Sequence, residues 1–525
     1  MNLFVRVAAV ISCVVALRNN ALPQAVLPPF SIELEEVTWP EWPGLHSFAI
    51  GEWDGRWVLA TGRSGGLHGF LPPDPFSVTE ANRFIYLFDP ATGEQWSKSI
   101  FSLPDDIADQ LRSTNAEYFQ RGQYLYIMGG YGKDTAVGSF ITFPSLLAID
   151  LEMLSEAIIE DEDMAPAIRK MEDTIFCVTG GEATLFNNEV YLFGGHIFTG
   201  DYTKPATPSF TQEYTNGLKK FLLNDDGADI TITDFDFIKD TAAFHRRDLN
   251  FEPVVFPDET FGLAAFSGVF QYEADWVWFN PVYFTDDGYT LDETFSQQLN
   301  NYTCPVITLY DSVEENYYAT FFGGIGQYHY DEENDTIRLD MNVPFVNDIS
   351  TIIRYADGTT EQMPMPLQFD ALLGSNMAFV PDDAMPHYEN GVIRLHDIDG
   401  DVFAGYLFGG IDALFANFTP STASNRLFKV FIHYEQPVGI IDPAAPEINI
   451  YPNPAAEFIT IQNKTAETIN AIRLINTLGE TVWSKRLAIA PGFRYQADMG
   501  NISRGIYFLM LEQKDKKTIS KLVIE

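Results

Sequence analysis

The stretch VYLFGGHIF, Val190 to Phe198, decides how this chain is read. An apolar run ends on two glycines, and a histidine follows. Similar runs return as YLYIMGGYG from Tyr124, ATFFGGIGQ from Ala319 and AGYLFGGID from Ala404. A residue without Cβ lets a strand end turn sharply beside another backbone. Recurrence of such a stop implies one small unit built several times over.

Working outward from the stops gives six units, each an apolar strand, a polar turn, a second apolar strand and a stop. They read FAIGEWDGRWVLATG from Phe48, AEYFQRGQYLYIMGG from Ala116, ATLFNNEVYLFGG from Ala183, VFQYEADWVWFNP from Val269, TLYDSVEENYYATFFGG from Thr308 and IRLHDIDGDVFAGYLFGG from Ile393. The first and fourth units stop on Thr61-Gly62 and Asn280-Pro281 in place of Gly-Gly. A third strand follows most stops: NRFIYLFD from Asn82, SLLAIDL from Ser145, NGLKKFLL from Asn216, NDISTIIRY from Asn347 and NRLFKVFIHY from Asn425. EQWSKSIF, from Glu94, reads as a fourth strand of the first unit. Four short antiparallel strands repeated six times is the pattern of a β-propeller. The sixth unit lacks its fourth strand, and SIELEEVTW, from Ser31, is placed to supply it and to cover an open sheet edge.

The Gly-Gly runs, the Asn-x-apolar strands, and Phe88-Asp89 with Trp96 in the first unit resemble the kelch family. The resemblance implies a six-bladed kelch-like β-propeller over residues 31–436, with seven blades as the rival count. It also implies that the loops following the stops gather on one face.

The chain of 525 residues is 46% hydrophobic and carries a net charge of −41. Such acidity repels nucleic acid and anionic membrane, so neither is an expected partner. Arg6 followed by the apolar run Val7 to Leu17 reads as an export signal within residues 1–21. No later apolar run is long enough to span a bilayer. Two cysteines remain after that signal, Cys177 and Cys304, enough for one bridge at most.

A Pro-rich connector, residues 437–448, precedes a change of composition. Residues 449–525 hold ten Lys and Arg against seven Asp and Glu, a net of +3, so the remainder carries −44. Short turn-separated strands there predict a small C-terminal β-sandwich. YPNPAAEFITI from Tyr451, INTLGETVW from Ile475, RGIYFLML from Arg504 and the terminal KLVIE resemble the type IX secretion sorting domain (type A) of Bacteroidetes. The residues carrying that motif are Pro452, Asn453, Pro454, Gly479, Gly505, Tyr507 and Lys521. The resemblance implies that type IX secretion machinery reads this domain and delivers the protein to the outer cell surface or the medium.

Long aromatic loops after the stops are where a rigid scaffold carries function. His68, His196 and His329 follow stops in units one, three and five, with Tyr328 beside the last. Their offsets from the stops differ, which argues against a shared metal, and no metal site is expected. His245, Arg246 and Arg247 lead toward the fourth unit, and adjacent arginines suit a carboxylate or sulfate. HDIDGDVF, from His396, spaces Asp397, Asp399 and Asp401 like a calcium loop, but Val402 and Tyr406 stand where an EF-hand needs Gly and Glu. An Asp-Gly hairpin turn is the expectation there, with calcium the one cofactor such acidic loops would suit. No nucleophile elbow, phosphate loop or paired-carboxylate motif is legible. The expected role is binding of an extracellular glycan or protein, with a carbohydrate-active enzyme on the same loop face as the alternative.

Overall fold

Both members of each glycine pair at a stop take left-handed backbone angles; a strand ends at Gly129-Gly130 and at Gly409-Gly410, whereas Glu189–Gly200 and Asn316–Ile325 run through theirs. Gly129 and Gly130 have φ of 62° and 84°, Gly194 and Gly195 of 70° and 76°. Space also requires glycine. A Cβ on Gly129 would lie 2.0 Å from the Val178 carbonyl oxygen, and one on Gly323 2.0 Å from that of Leu373. The amide of the following glycine bonds to the same oxygen: Gly130 to Val178 at 2.9 Å, Gly324 to Leu373 at 3.0 Å. A side chain at the first position would push these partners apart.

The computed structural model describes residues 27–69, 76–203, 209–436, 448–465, 467–477, 479–514 and 516–524. The export signal and nearly all of the connector lie outside them. The chain divides into two compact units, one ending at Glu435 and one beginning at Gln436.

The first unit holds six antiparallel sheets built on four strands each. In the first four the four main strands follow in chain order from one sheet edge to the other, and the fifth keeps that order with one further strand beside its first. The first sheet is Ala49–Trp53, Arg56–Ala60, Phe84–Phe88 and Gln95–Ser99. The second is Glu117–Arg121, Tyr124–Met128, Ser145–Asp150 and Ile168–Glu172. The third is Thr179–Phe186, Glu189–Gly200, Gly217–Asp225 and Ile230–Lys239, with Phe210–Tyr214 paired to the far end of its second strand. The fifth opens with Val306–Asp311 and Asn316–Ile325. The six sheets pack through shared apolar clusters. Val58, Ile85 and Leu87 of the first sheet join Leu125, Ile127 and Leu147 of the second, all without solvent exposure.

Two units differ from the sequence reading. The fourth sheet consists of Asn250–Val255, Phe261–Phe266, Val282–Thr285 and Gly288–Leu291. Its stop is therefore Ser267-Gly268, with φ of 51° and 95°, and VFQYEADWVWFNP is the excursion that follows. Ser267 takes the left-handed angle without being glycine, which hides the repeat. The sixth sheet opens with Met377–Pro381, paired to Gly400–Gly409. Ile393–Arg394 instead adds in parallel to the first strand of the fifth sheet, and Leu395–Asp397 is a short 3-10 helix. The expected Asp-Gly hairpin is thus absent.

The same amide-to-carbonyl contact ties the first sheet to the second, the second to the third, the third to the fourth and the fifth to the sixth. Gly62 donates to Ser113, Gly130 to Val178, Gly195 to Arg246 and Gly324 to Leu373, at 2.7 to 3.0 Å. Gly410 of the sixth sheet donates at 2.9 Å to Leu45, just ahead of the first.

The second unit has a three-stranded sheet, Ile448–Tyr451, Phe458–Asn463 and Arg494–Asp498, and a four-stranded sheet. The latter comprises Ile469–Asn476, Thr481–Ile489, Gly505–Glu512 and Lys517–Ile524. One buried cluster draws on both, including Ile459 and Ile461 from the smaller and Ile472, Leu509 and Leu522 from the larger.

The N-terminal stretch supplies the missing strand. Ser31–Val37 pairs antiparallel with Leu427–Tyr434, from Ser31 opposite His433 to Val37 opposite Leu427. Ile32 is buried, and Glu36 receives both arms of Arg426 at 2.8 and 2.7 Å. Deleting residues 31–37 strips this pairing from Leu427–Tyr434 and opens a cluster containing Phe30 and Ile32. The expected outcome is loss of folding or a fall in Tm of more than about 5 °C. Thermal denaturation followed by circular dichroism checks it, and an unchanged Tm rules the strand out as a structural closure.

Candidate functional site

The site begins with a second repeated backbone feature. One left-handed residue stands at the head of each sheet: Ser47, Asn115, Gly180, Asp248, Thr303 and Asn376, with φ between 49° and 67°. Their backbones bond to one another. Asn115 donates to Ser47, Gly180 to Asn115, Asp248 to Gly180, Asn376 to Thr303 and Ser47 to Asn376, at 2.7 to 3.4 Å. Short polar side chains tolerate this conformation best. Together they form a polar collar. Five of its members line both a cavity of about 790 Å³ and a smaller one of about 110 Å³, so the collar is the boundary the two share.

The larger cavity is walled by excursions that follow the stops and by residues one position before the collar. His46, Thr114, Arg247 and Tyr302 come from the latter positions. Phe76, Tyr202, Phe270 and Phe345 give it an aromatic wall, and Asn342, Asn376 and Asn417 add amides. Among the described residues, two guanidiniums, Arg63 and Arg247, and one carboxylate, Asp248, line it. Arg247 donates to Asp248 at 2.5 Å, to the Tyr214 hydroxyl at 3.2 Å and to that of Tyr202 at 3.5 Å. Arg63 donates to Glu80 at 2.8 Å and lies over the Phe76 ring at 4.0 Å.

Of the residues singled out from sequence, His68 and Arg247 line the cavity. His68 meets the Tyr202 ring edge-on at 4.4 Å. His196 and His245 stand behind Arg247. Both touch Tyr214, His245 stacking on it at 3.9 Å and His196 meeting it at 5.7 Å. Their ring nitrogens are engaged by Gln212 and Asn216, each at 2.6 Å. Arg246 is not at the cavity. It is fully buried, donates to the carbonyls of Ala243, Ser267 and Asn280, and lies 4.2 Å over Trp278. Adjacent residues on an extended backbone point to opposite sides, so the two arginines do not form one fork. Tyr328 and His329 lie on a hairpin, Tyr328–Asp331 with Thr336–Leu339, and are not among the lining residues. Among the described residues no group of three or more His, Cys, Asp or Glu side chains is placed to hold a metal ion. Cys177 and Cys304 are free thiols.

Sequence reasoning passed over His46, Arg63, Tyr202 and the collar. A signal was present in the tetrapeptides HSFA, TNAE, TGGE, RDLN, YTCP and SNMA, which put a small or polar residue second at the head of each sheet.

Burial sets the electrostatics below the collar. Glu117 is buried, accepts from the Gly181 amide at 2.8 Å and is pushed up to about 8. Burial likewise pushes Glu252 to about 8 and Glu182 well above the carboxylate range, the latter with help from Glu252, Glu117 and Asp248. Burial acts the other way on histidines, holding His46 at about 3 and His196 well below its ordinary value. In the folded state the glutamates keep their protons at a pH where the unfolded chain has lost them. Their stabilising contribution is present below about pH 4.5 and is lost as pH rises through 8. The depressed histidines add stability up to about pH 6.5 and nothing further above it. Tm is therefore expected to fall between pH 6.5 and 8. Glu117→Gln combined with Glu252→Gln flattens that slope, as scanning calorimetry across the range checks.

Residues 449–525 match the family described as secretion system C-terminal sorting domain. The motif residues sit where they fix its edges. Asn453 donates to the Lys521 carbonyl and accepts from the Val523 amide, each at 2.9 Å, which holds the final strand. Tyr507 is buried, and its hydroxyl donates to Ser503 at 2.8 Å. Gly479 turns the hairpin after Ile469–Asn476 with φ of 82°. None of the curated proteins is a significant match to the chain. Among solved structures, that of YjhT is similar at 9% identity with a TM-score of 0.40, covering 74% of this chain and 97% of that one, too distant to carry an argument. No helix among the described residues is long and apolar enough to cross a membrane. The type IX sorting domain marks the protein for export to the cell surface or the extracellular space. A chain truncated before Ala444 is expected to fold and remain in the periplasm. Immunoblots of cell fractions check this, and truncated protein in the medium would contradict it.

Proposed function

We propose that the first unit is a six-bladed kelch-like β-propeller, residues 31–436, joined by residues 437–448 to a sorting β-sandwich of residues 449–525. Six sheets built on four strands each support this reading, together with the amide-to-carbonyl links at five of the six junctions, the one from the sixth to the first included. The N-terminal strand in the sixth sheet is a further support. On this reading the collar surrounds the propeller axis and the larger cavity is the mouth of its channel.

The protein is then a secreted receptor for an extracellular glycan or protein that presents a carboxylate to Arg247. One observation carries this. In a chain of net charge −41, the cavity wall has two guanidiniums against a single carboxylate among the described lining residues. A guanidinium recessed among aromatic rings suits a carboxylate whose neighbouring atoms are apolar or hydroxylated. Binding is better supported than hydrolysis by paired carboxylates, since Asp248 is the one carboxylate among the described residues lining the larger cavity and is held by Arg247.

The test compares carboxylate-bearing probes with their amidated counterparts on glycan and peptide arrays, using the whole chain. Arg247→Gln with Asp248→Asn removes the ion pair as a unit and so leaves no orphaned charge. Affinity for the carboxylated probe is expected to fall by about tenfold or more with Tm little changed. Arg247→Lys keeps the charge without the fork and is expected to recover part of it. Equal binding of carboxylated and amidated probes, or a folded double variant that binds like the parent, sinks the proposal.

A further inference from the structure

The sorting domain turns outward an apolar band that its own fold leaves uncovered. Strand alternation and register define it. On Gly505–Glu512 the side chains of Tyr507, Leu509 and Leu511 enter the buried cluster, so Ile506, Phe508 and Met510 point the other way. The same alternation turns Ile475 outward on Ile469–Asn476, and Ile519 and Val523 on Lys517–Ile524. Pairing sets these residues side by side. Phe508 stands opposite Ile475 on one flank and Lys521 on the other. Met510 stands opposite Ile519, and Ile506 opposite Val523. Directly opposite side chains on one face are about 5 Å apart, so these apolar residues form one band across three strands. Ile506 and Phe508 are 46% and 40% exposed, and none of the others in the band is buried.

The charges on this face are one-sided. Its outward rows carry Arg473, Arg486, Lys517 and Lys521 against one carboxylate, Glu512. Glu512 is paired to Arg473 at 3.0 Å, which leaves the other three cations bordering the band. Glu480 lies outside the rows, in a hairpin turn where the Asn476 amide donates to it. The outward side of the three-stranded sheet has no such band. There Tyr451 stands opposite Thr460, and Phe458 opposite Asp498.

A contiguous apolar surface rimmed by charge marks an interaction site. Its chemistry selects the occupant. Lys521 shares a row with Ile475 and Phe508, so whatever covers the band must set an anionic group level with an apolar contact, as a protein surface does. A bilayer would have to take the band in by about 5–10 Å, and Lys521 with it. A second copy laid face to face would bring like charges together. The strands themselves point to sorting: Gly505, Tyr507 and Lys521 of the sorting motif lie on the two strands that carry all of the band but Ile475.

We infer that this band is the surface by which a protein of the secretion machinery takes hold of the domain, and that this protein presents an apolar patch bordered by carboxylates. The inference rests on residues 449–525 acting as the sorting domain.

Export of the whole chain in its native host tests it, read as the ratio of protein outside the cell to protein in the periplasm. Ile506→Thr with Phe508→Thr removes the centre of the band and keeps strand-forming residues. The ratio is expected to fall about tenfold or more while the retained protein keeps the Tm of the parent. Arg486→Glu with Lys521→Glu leaves every apolar residue in place and is expected to lower the ratio likewise. Phe458→Thr with Phe493→Ser removes exposed rings elsewhere on the domain and is expected to export as the parent does. Normal export of the folded band and charge variants overturns the inference, as does a control pair retained as strongly as the band pair, or retention that comes with a lost Tm in both the band and charge pairs. Whole chain that floats with phosphatidylglycerol vesicles, or sediments as a dimer, and ceases to do so in the band pair overturns it in favour of a lipid or a second copy. Retention of the chain truncated before Ala444 beside normal export of the band and charge variants leaves the sorting reading intact and removes only the band. Export of the truncated chain overturns both.

Discussion

The contact on which the rest depends is a glycine set against a carbonyl oxygen. At Gly129 and Gly323 the oxygen of the next sheet's leading residue occupies the place a Cβ would take. The same oxygen accepts from the following amide, so one interaction fixes the next sheet beside the glycine pair. Neither partner is a side chain. The sheets can therefore differ in every apolar residue that packs between them and still meet at the same spacing. Thr61 and Ser267 show the tolerance of the arrangement, because a short polar residue takes the left-handed angle where the first glycine is missing.

This division of labour frees the rest of the chain. Aliphatic and aromatic clusters fill the spaces between the sheets. The groups that line the larger cavity come from the collar, from the residues before it and from the excursions, whose lengths vary from sheet to sheet. The two neighbouring arginines illustrate it. Arg246 satisfies carbonyls of the fourth sheet's stop and of the excursion after it, and the Arg246 carbonyl accepts from Gly195. Arg247, one position on, meets the cavity. One residue belongs to the scaffold and the next to the site.

The first three strands of the first, second, third and fifth units were legible because Gly-Gly or Thr-Gly ended an apolar run, and the N-terminal strand because one sheet lacked a partner, but the fourth strands of the second, third and fifth units carried no such mark. The fourth unit was not, since Ser267 carries no signal of its backbone angle and the aromatic run after it imitates a strand. In the sixth unit, IRLHD reads as a strand beside DVFAG, but Ile393 and Arg394 pair with a different sheet. Only tertiary competition decides that. The site was half legible. His68 and Arg247, singled out by residue type, line the cavity, as do Arg63 and Tyr202 from segments distant in sequence. Burial of Arg246 could not be read from two consecutive basic residues, because composition does not tell which of them faces in.

The pairing of Ile32 with Ile432 also has a temporal side. Roughly four hundred positions separate the two, among the most non-local contacts such a chain can make, and pairing of this kind is slow to form. The first strand synthesised waits for the last of its unit. Until then the edge of Leu427–Tyr434 is open and the hydrophobic side of Ser31–Val37 is uncovered. The interval is one in which a chain bound for export stays loose at its ends, and in which a neighbouring copy could lend the missing strand.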